Sequence, residues 1–133
     1  MEHLNISVLN KYPAVDEVEV DKLLAQEIAA NNTKIVVLDD DPTGVQTVHD
    51  ISVYTDWSKE SIQAGFEEAG KLFYVLTNSR GFTQEQTTEA HKEIAHVVAQ
   101  VAKSLGRDYV IISRSDSTLR GHYPLETSLL RDE

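Results

Sequence analysis

The chain has 133 residues, 41% of them hydrophobic, and twelve basic residues against twenty-two acidic ones give a formal charge of −10. That is length for one domain or one piece of a longer chain, and the acidity argues against nucleic acid, whose phosphates demand clustered Lys and Arg. Cysteine is absent, which removes disulfides and thiolate chemistry, while the lack of a secretory leader or of an apolar run near the ~18 residues of a membrane span points to a cytoplasmic protein away from membranes.

Residues 1–15 read as an irregular lead-in. From Asp16, the positions Val20, Leu23, Leu24 and Ile28 recur at helical spacing, and Asn31-Asn32 ends the pattern. The stretch KIVVLDDDPTGVQT, Lys34 to Thr47, comes next and organises the rest. Its apolar run Ile35–Leu38 is rich in β-branched residues and reads as a buried strand. Asp39, Asp40 and Asp41 follow directly, then Pro42-Thr43-Gly44. Asp, Pro and Gly are turn residues, but three adjacent carboxylates repel one another. A functional site is the better reading.

Gly44 to His49 leaves room for one or two helical turns. A second strand is expected over Ile51–Thr55. Ser58 then caps a short helix carrying Ile62 and Phe66 and closed by Gly70. A third strand, Leu72–Thr77, runs into Asn78-Ser79-Arg80-Gly81. Thr83 and Gln86 form a capping-box pair for a helix with Ala90, Ile94, Val97, Val98, Val101 and Leu105 at apolar positions, stopped by Gly106. His91 and His96 lie five residues apart, off a common face, and both read as surface residues. A fourth strand, Tyr109–Ser113, leads into Arg114 to His122. Pro124 opens a last helix, with Leu125 and Leu129 on one side.

Apolar strands alternating with helices predict an α/β fold, an open, mainly parallel, Rossmann-like sheet with flanking helices, incomplete at its C-terminal end. Residues 1–33 supply the lead-in and first helix, and 34–133 the domain. In such a sheet every strand end reaches one edge, where ligands bind. Asp39–Gly44, Asn78–Arg80 and Arg114–Gly121 therefore share a crevice. No GxxxxGK[ST] or GxGxxG loop occurs, with only six glycines present, so no nucleotide site is expected within these residues. Three of the five arginines, Arg80, Arg114 and Arg120, fall at this edge. Guanidinium groups pair bidentately with carboxylate or phosphate, and Asp, Asn, Ser and Thr suit hydroxyls. The ligand implied is small, anionic and polyhydroxylated.

The short match IVVLDDDPT, with Leu72–Thr77 and Asn78, resembles the first two motifs of haloacid dehalogenase-like phosphatases. That resemblance implies Asp39 as nucleophile, Asp41 as acid/base and a bound Mg²⁺. A longer and more specific resemblance covers residues 34–128. LDDDPTGVQTVHDISVYTDW, TNSRGFT and ISRSDSTLRGHYPLET, in that order, are similar to the N-terminal domain of the four-carbon acid sugar kinases, which phosphorylate threonate, erythronate and 3-oxo-tetronate with ATP. This resemblance implies a cytoplasmic transferase of carbohydrate metabolism. Its N-terminal domain would hold the sugar acid, and its own C-terminal domain, absent here, would bind ATP and most of the Mg.

The matching substrate positions are Asp39, Asp40, Thr43 and Gly44, then Asn78, Ser79 and Arg80, then Asp116, Ser117, Thr118, Arg120 and Gly121. No metal ligand and no catalytic base is assigned. Many members carry Lys where this chain has Arg114. Arg80 and Arg120 are expected to share the carboxylate of the sugar acid. These residues alone are expected to be a fragment inactive as a kinase; a non-catalytic anion-binding module is an alternative, and a homo-oligomer is open.

Overall fold

The computed structural model describes residues 5–116 and 120–132. The chain divides into two compact units, Met1–Asn31 and Asn32–Glu133. In the first, Ile6–Lys11 forms a 3-10 helix where the sequence suggested irregular chain, because the Asn5 side chain accepts from the Ser7 N–H at 2.9 Å and caps it. Helix α1, Glu17–Ala30, starts on Asp16, whose carboxylate accepts from the Glu19 N–H, and ends at Asn31 as expected. Its apolar positions stay half exposed: Val20 48%, Leu23 50%, Leu24 55% and Ile28 52%.

The second unit is built on β1 (Lys34–Asp39), β2 (Val53–Tyr54), β3 (Leu72–Leu76) and β4 (Tyr109–Arg114), an open, all-parallel sheet in the order β2-β3-β1-β4. The most apolar strand, β1, takes the centre, with Val37 paired to Tyr74 on one side and Ile112 on the other. Strand β2 is shorter than Ile51–Thr55, pairing with β3 through Val53 and Tyr54.

Helices α2 (Lys59–Glu67), α3 (Gln84–Leu105) and α4 (Leu125–Arg131) follow β2, β3 and β4. Val36, Leu38, Phe73 and Val75 of the sheet form one core with Ile62 and Phe66 of α2 and with Ile94, Val98, Val101 and Ala102 of α3, and Ile111 and Leu130 pack against it. Phe73 is central, edge-to-face with Tyr54 and Phe66 at 5.7 Å each. Alternate strand residues face the other way. There Val110 and Ile112 keep 50% and 46% of their surface exposed, so β4 is not buried on both faces as an apolar run suggests.

Three local expectations need correction. Helix α2 ends at Glu67 with Glu68 as its cap rather than at Gly70. Buried Lys34 accounts for this, since its Nζ donates to the carbonyls of Glu68 at 2.8 Å and Gly70 at 2.5 Å. The same burial lowers the Lys34 pKa. His91 is buried, at 2% exposure, and its Nδ1–H donates to the Thr87 carbonyl at 2.9 Å. Helix α3 is packed by both α2 and α4, so its buried arc is wider than its apolar stripe. His96 is exposed as expected. Pro124 caps α4 from outside, and the buried residue of that helix is Glu126, with Leu125 and Leu129 only half buried.

Candidate functional site

The parallel sheet sends β1, β3 and β4 to the same edge, and hydrogen bonds lock their three exits together. The Thr77 N–H donates to the Asp39 carbonyl at 2.8 Å, the Arg80 N–H to the Asp40 carbonyl at 3.3 Å, and the Asp40 N–H to the Arg114 carbonyl at 3.4 Å. Around this backbone seam the charged residues interlock.

Asp40, 2% exposed, is the hub. Arg80 forks onto it, Nε to Oδ2 and Nη2 to Oδ1, both at 2.8 Å, and the backbone N–H of Asp116 adds a third donor to Oδ2 at 3.2 Å. The remaining Arg80 nitrogen, Nη1, pairs with Asp41. Arg80 is thus taken up on every nitrogen, in the planar bidentate geometry for which Arg is suited.

Asp39 is 1% exposed. Its register partner across β1 and β4 is Arg114, whose Nη1 donates to Oδ1 at 3.0 Å. Its other oxygen, Oδ2, has no hydrogen-bond partner among the described residues. Gly44 lies directly over it, and a Cβ there would fall 1.8 Å from Oδ2. Any other residue at 44 would displace the carboxylate. Burial drives the pKa of Asp39 up against the opposing pull of Arg114.

Asp41 behaves in the opposite way. Thr43 donates to its Oδ1 through both its hydroxyl and its backbone N–H, the latter at 2.7 Å, and these bonds hold the Asp41 carboxyl below its ordinary range. Farther out, Arg120 Nε donates to Asp116 Oδ2 at 3.0 Å. Asp39, Asp40, Asp41 and Asp116 therefore set four carboxylates against the three guanidinium groups of Arg80, Arg114 and Arg120. Among the described residues Arg114 and Arg120 each pair through a single nitrogen, and their side chains remain 45% and 59% exposed.

The loop beyond β4 is fastened separately. Glu126, 2% exposed, accepts from the hydroxyls of Ser113 and Ser115 and from the His122 N–H, and the His122 ring Nε2–H donates to the Phe82 carbonyl at 3.0 Å. Gly121 lies where a Cβ would fall 1.6 Å from the Asp116 carbonyl oxygen, which explains its identity.

Of the expected substrate positions, Asp39, Asp40, Arg80, Asp116 and Arg120 join this one network, with Thr43 attached through Asp41. Gly44 and Gly121 make room for close approach. Asn78 is exposed, in left-handed conformation with φ 51°, where Asn is one of the few tolerated side chains. Ser79 is 5% exposed and bonded to the Thr77 hydroxyl at 2.8 Å, a strut of the turn. Ser117 and Thr118 lie outside the described residues. Sequence reading left Arg114 and Glu126 off the set. The β1–β4 register is the signal for Arg114, since the two strands end together; nothing in sequence marks Glu126.

One oxygen from each of Asp39, Asp40 and Asp41 lies within 4.8 Å of the others, a donor set of the hard kind that Mg²⁺ takes. It does not fit a cation. Arg80, Arg114 and Thr43 already occupy these carboxylates, and the oxygen left over is enclosed beneath Gly44. The same enclosure disfavours Asp39 as a phosphatase nucleophile, which must reach a phosphorus atom.

The family model described as "Sugar-binding N-terminal domain" matches residues 35–133, which take in all of these residues and the whole sheet except Lys34 at its start. No curated protein and no solved structure matches the chain.

Proposed function

We propose that this chain, which belongs to the family of sugar-binding N-terminal domains, is the substrate half of an ATP-dependent kinase for a four-carbon sugar acid of the threonate, erythronate or 3-oxo-tetronate type. The observation that carries this reading is the Asp–Arg network at the carboxyl edge of the sheet, where guanidinium edges and carboxylates stand side by side. The substrate carboxylate pairs with the unspent N–H groups of Arg114 and Arg120, while Arg80, committed to Asp40 and Asp41, holds the frame. The hydroxyls are recognised by Asp116, Asn78 and Thr43 at the rim. ATP and its Mg²⁺ are assigned to a separate C-terminal domain, as the resemblance to the four-carbon acid sugar kinases implies.

Phosphoryl transfer needs positioning and charge neutralisation more than covalent chemistry. The part of this chain is to fix the acceptor hydroxyl and hold the substrate's charge. Asp116 at the rim is the candidate for receiving its proton, since Asp39 is shut in and Thr43 and Arg80 hold Asp41 in its charged form.

Titration calorimetry of D-threonate and D-erythronate against the wild type, Arg114→Ala and Arg120→Ala tests the site. Each substitution removes a charge-assisted hydrogen bond worth about 1.5–3 kcal/mol, so affinity is expected to drop about ten- to a hundredfold. Unchanged affinity in both folded variants overturns this placement of the substrate.

A further inference from the structure

We infer that Glu126 is a positioning residue: it closes the loop between β4 and α4 at both ends and so holds Asp116 against Asp40. The inference rests on the sugar-acid reading, because this loop carries Asp116 and Arg120 to the crevice.

Glu126 belongs to the first turn of α4, yet its carboxylate faces back into the loop. Oε2 accepts from Ser113 at 3.4 Å and from Ser115, the residues where the chain leaves the sheet. Oε1 accepts from the His122 N–H at 3.0 Å, where the chain returns. A single carboxylate therefore joins exit and re-entry. Gly121 approaches Asp116 so closely that a Cβ on it would fall 1.6 Å from the Asp116 carbonyl oxygen. The outcome at the crevice is the 3.2 Å bond from the Asp116 N–H to Asp40 Oδ2.

No Lys or Arg partners Glu126 among the described residues. A buried carboxylate without a cation is costly, even with three donors. An apolar side chain here would leave the Ser113 and Ser115 hydroxyls and the His122 N–H without their acceptor, a further cost for each donor that stays buried. The carboxylate is retained because donors from both ends of the loop converge on it, and tying those ends is what aims Asp116.

The variants Glu126→Leu, Glu126→Gln and Ser115→Ala separate aiming from stability. Two readouts apply: amide hydrogen exchange at Asp116, which needs no ligand, and the Kd for D-threonate. In Glu126→Leu the unfolding midpoint is expected to fall, with the Val36 and Val75 amides still exchanging only through global unfolding. The Asp116 amide is expected to exchange at least about tenfold faster, and threonate to bind about tenfold more weakly. Glu126→Gln, whose amide oxygen still accepts from the His122 N–H while its NH₂ donates to serine hydroxyls turned to accept, restores most of both. Should Glu126→Leu not fold, Ser115→Ala decides, with an expected acceleration of about threefold at Asp116. Wild-type exchange at Asp116 in a folded Glu126→Leu, or in Ser115→Ala where that variant decides, overturns the inference. Absence of threonate binding by the wild type overturns the sugar-acid reading instead, and exchange at Asp116 still decides the role of Glu126.

Discussion

Asp39 and Asp41 lie two residues apart and their acidities are driven in opposite directions. Burial raises Asp39 and the Thr43 bonds lower Asp41. The signs for stability follow by linkage. Folded Asp39 binds its proton more tightly than unfolded, so its contribution is present at low pH and is lost as pH rises from the ordinary carboxylate value through its own. Folded Asp41 binds its proton more weakly, so its contribution is present above the ordinary value and is lost as pH falls through its own. Carboxyl ¹³C titration should find Asp39 above and Asp41 below an ordinary Asp; the reverse order sinks this account of the cluster. The arginines divide as sharply. Arg80→Ala leaves buried Asp40 without its fork and should lower the unfolding midpoint more than any other Arg→Ala in the cluster. Arg120, 59% exposed and paired through one nitrogen, contributes at most about 1 kcal/mol to stability. Equal thermal shifts in the two variants would contradict the division into frame and binding edge.

At the scale of the element, two contacts set how helices meet the sheet. Helix α3 begins on a complete capping box: the Gln86 N–H donates to the Thr83 hydroxyl at 3.3 Å, and the Gln86 side chain accepts from the Thr83 N–H at 2.9 Å. Thr83→Ala should cost about 0.5–2 kcal/mol in urea denaturation. Helix α2 approaches β3 closely enough that a Cβ on Gly65 would fall 2.6 Å from the Phe73 ring. Phe73 is wholly buried and cannot swing aside, so Gly65→Ala should destabilise by about 1–3 kcal/mol through overpacking. On propensity alone, an exposed helical Gly→Ala gains stability. The sign of the measured change thus decides whether the helix lies this close.

Across the second unit, protection should follow the topology. Strand β1 is paired on both sides, whereas β2 contributes two residues at an edge. Amides of β1 are expected to exchange only through global unfolding, and those of Val53 and Tyr54 through local opening at lower free energy. Native-state hydrogen exchange against denaturant checks this. A common isotherm for β1 and β2 would show that the edge strand is as firmly held as the centre.

The fold class and the common edge were legible in the sequence because both rest on local signals. Apolar runs of strand length, a period of 3.6 between them, and caps at Ser58 and Thr83 each depend on neighbours a few residues away. So does the strand-end motif Asp39 to Gly44, whose meaning comes from its place after an apolar run. What tertiary structure alone decided is who partners whom. Arg80 reads as a ligand arginine until the fold sets it, forty residues on, against Asp40 and Asp41. Arg114 becomes the partner of Asp39 only through the register of β1 with β4. His91 is buried because a second helix covers its face, and Glu126 acts because the chain leaves and re-enters beside it. Charge pairing and burial are properties of distance in space, and residues of one charge are interchangeable in a sequence until the fold assigns those distances.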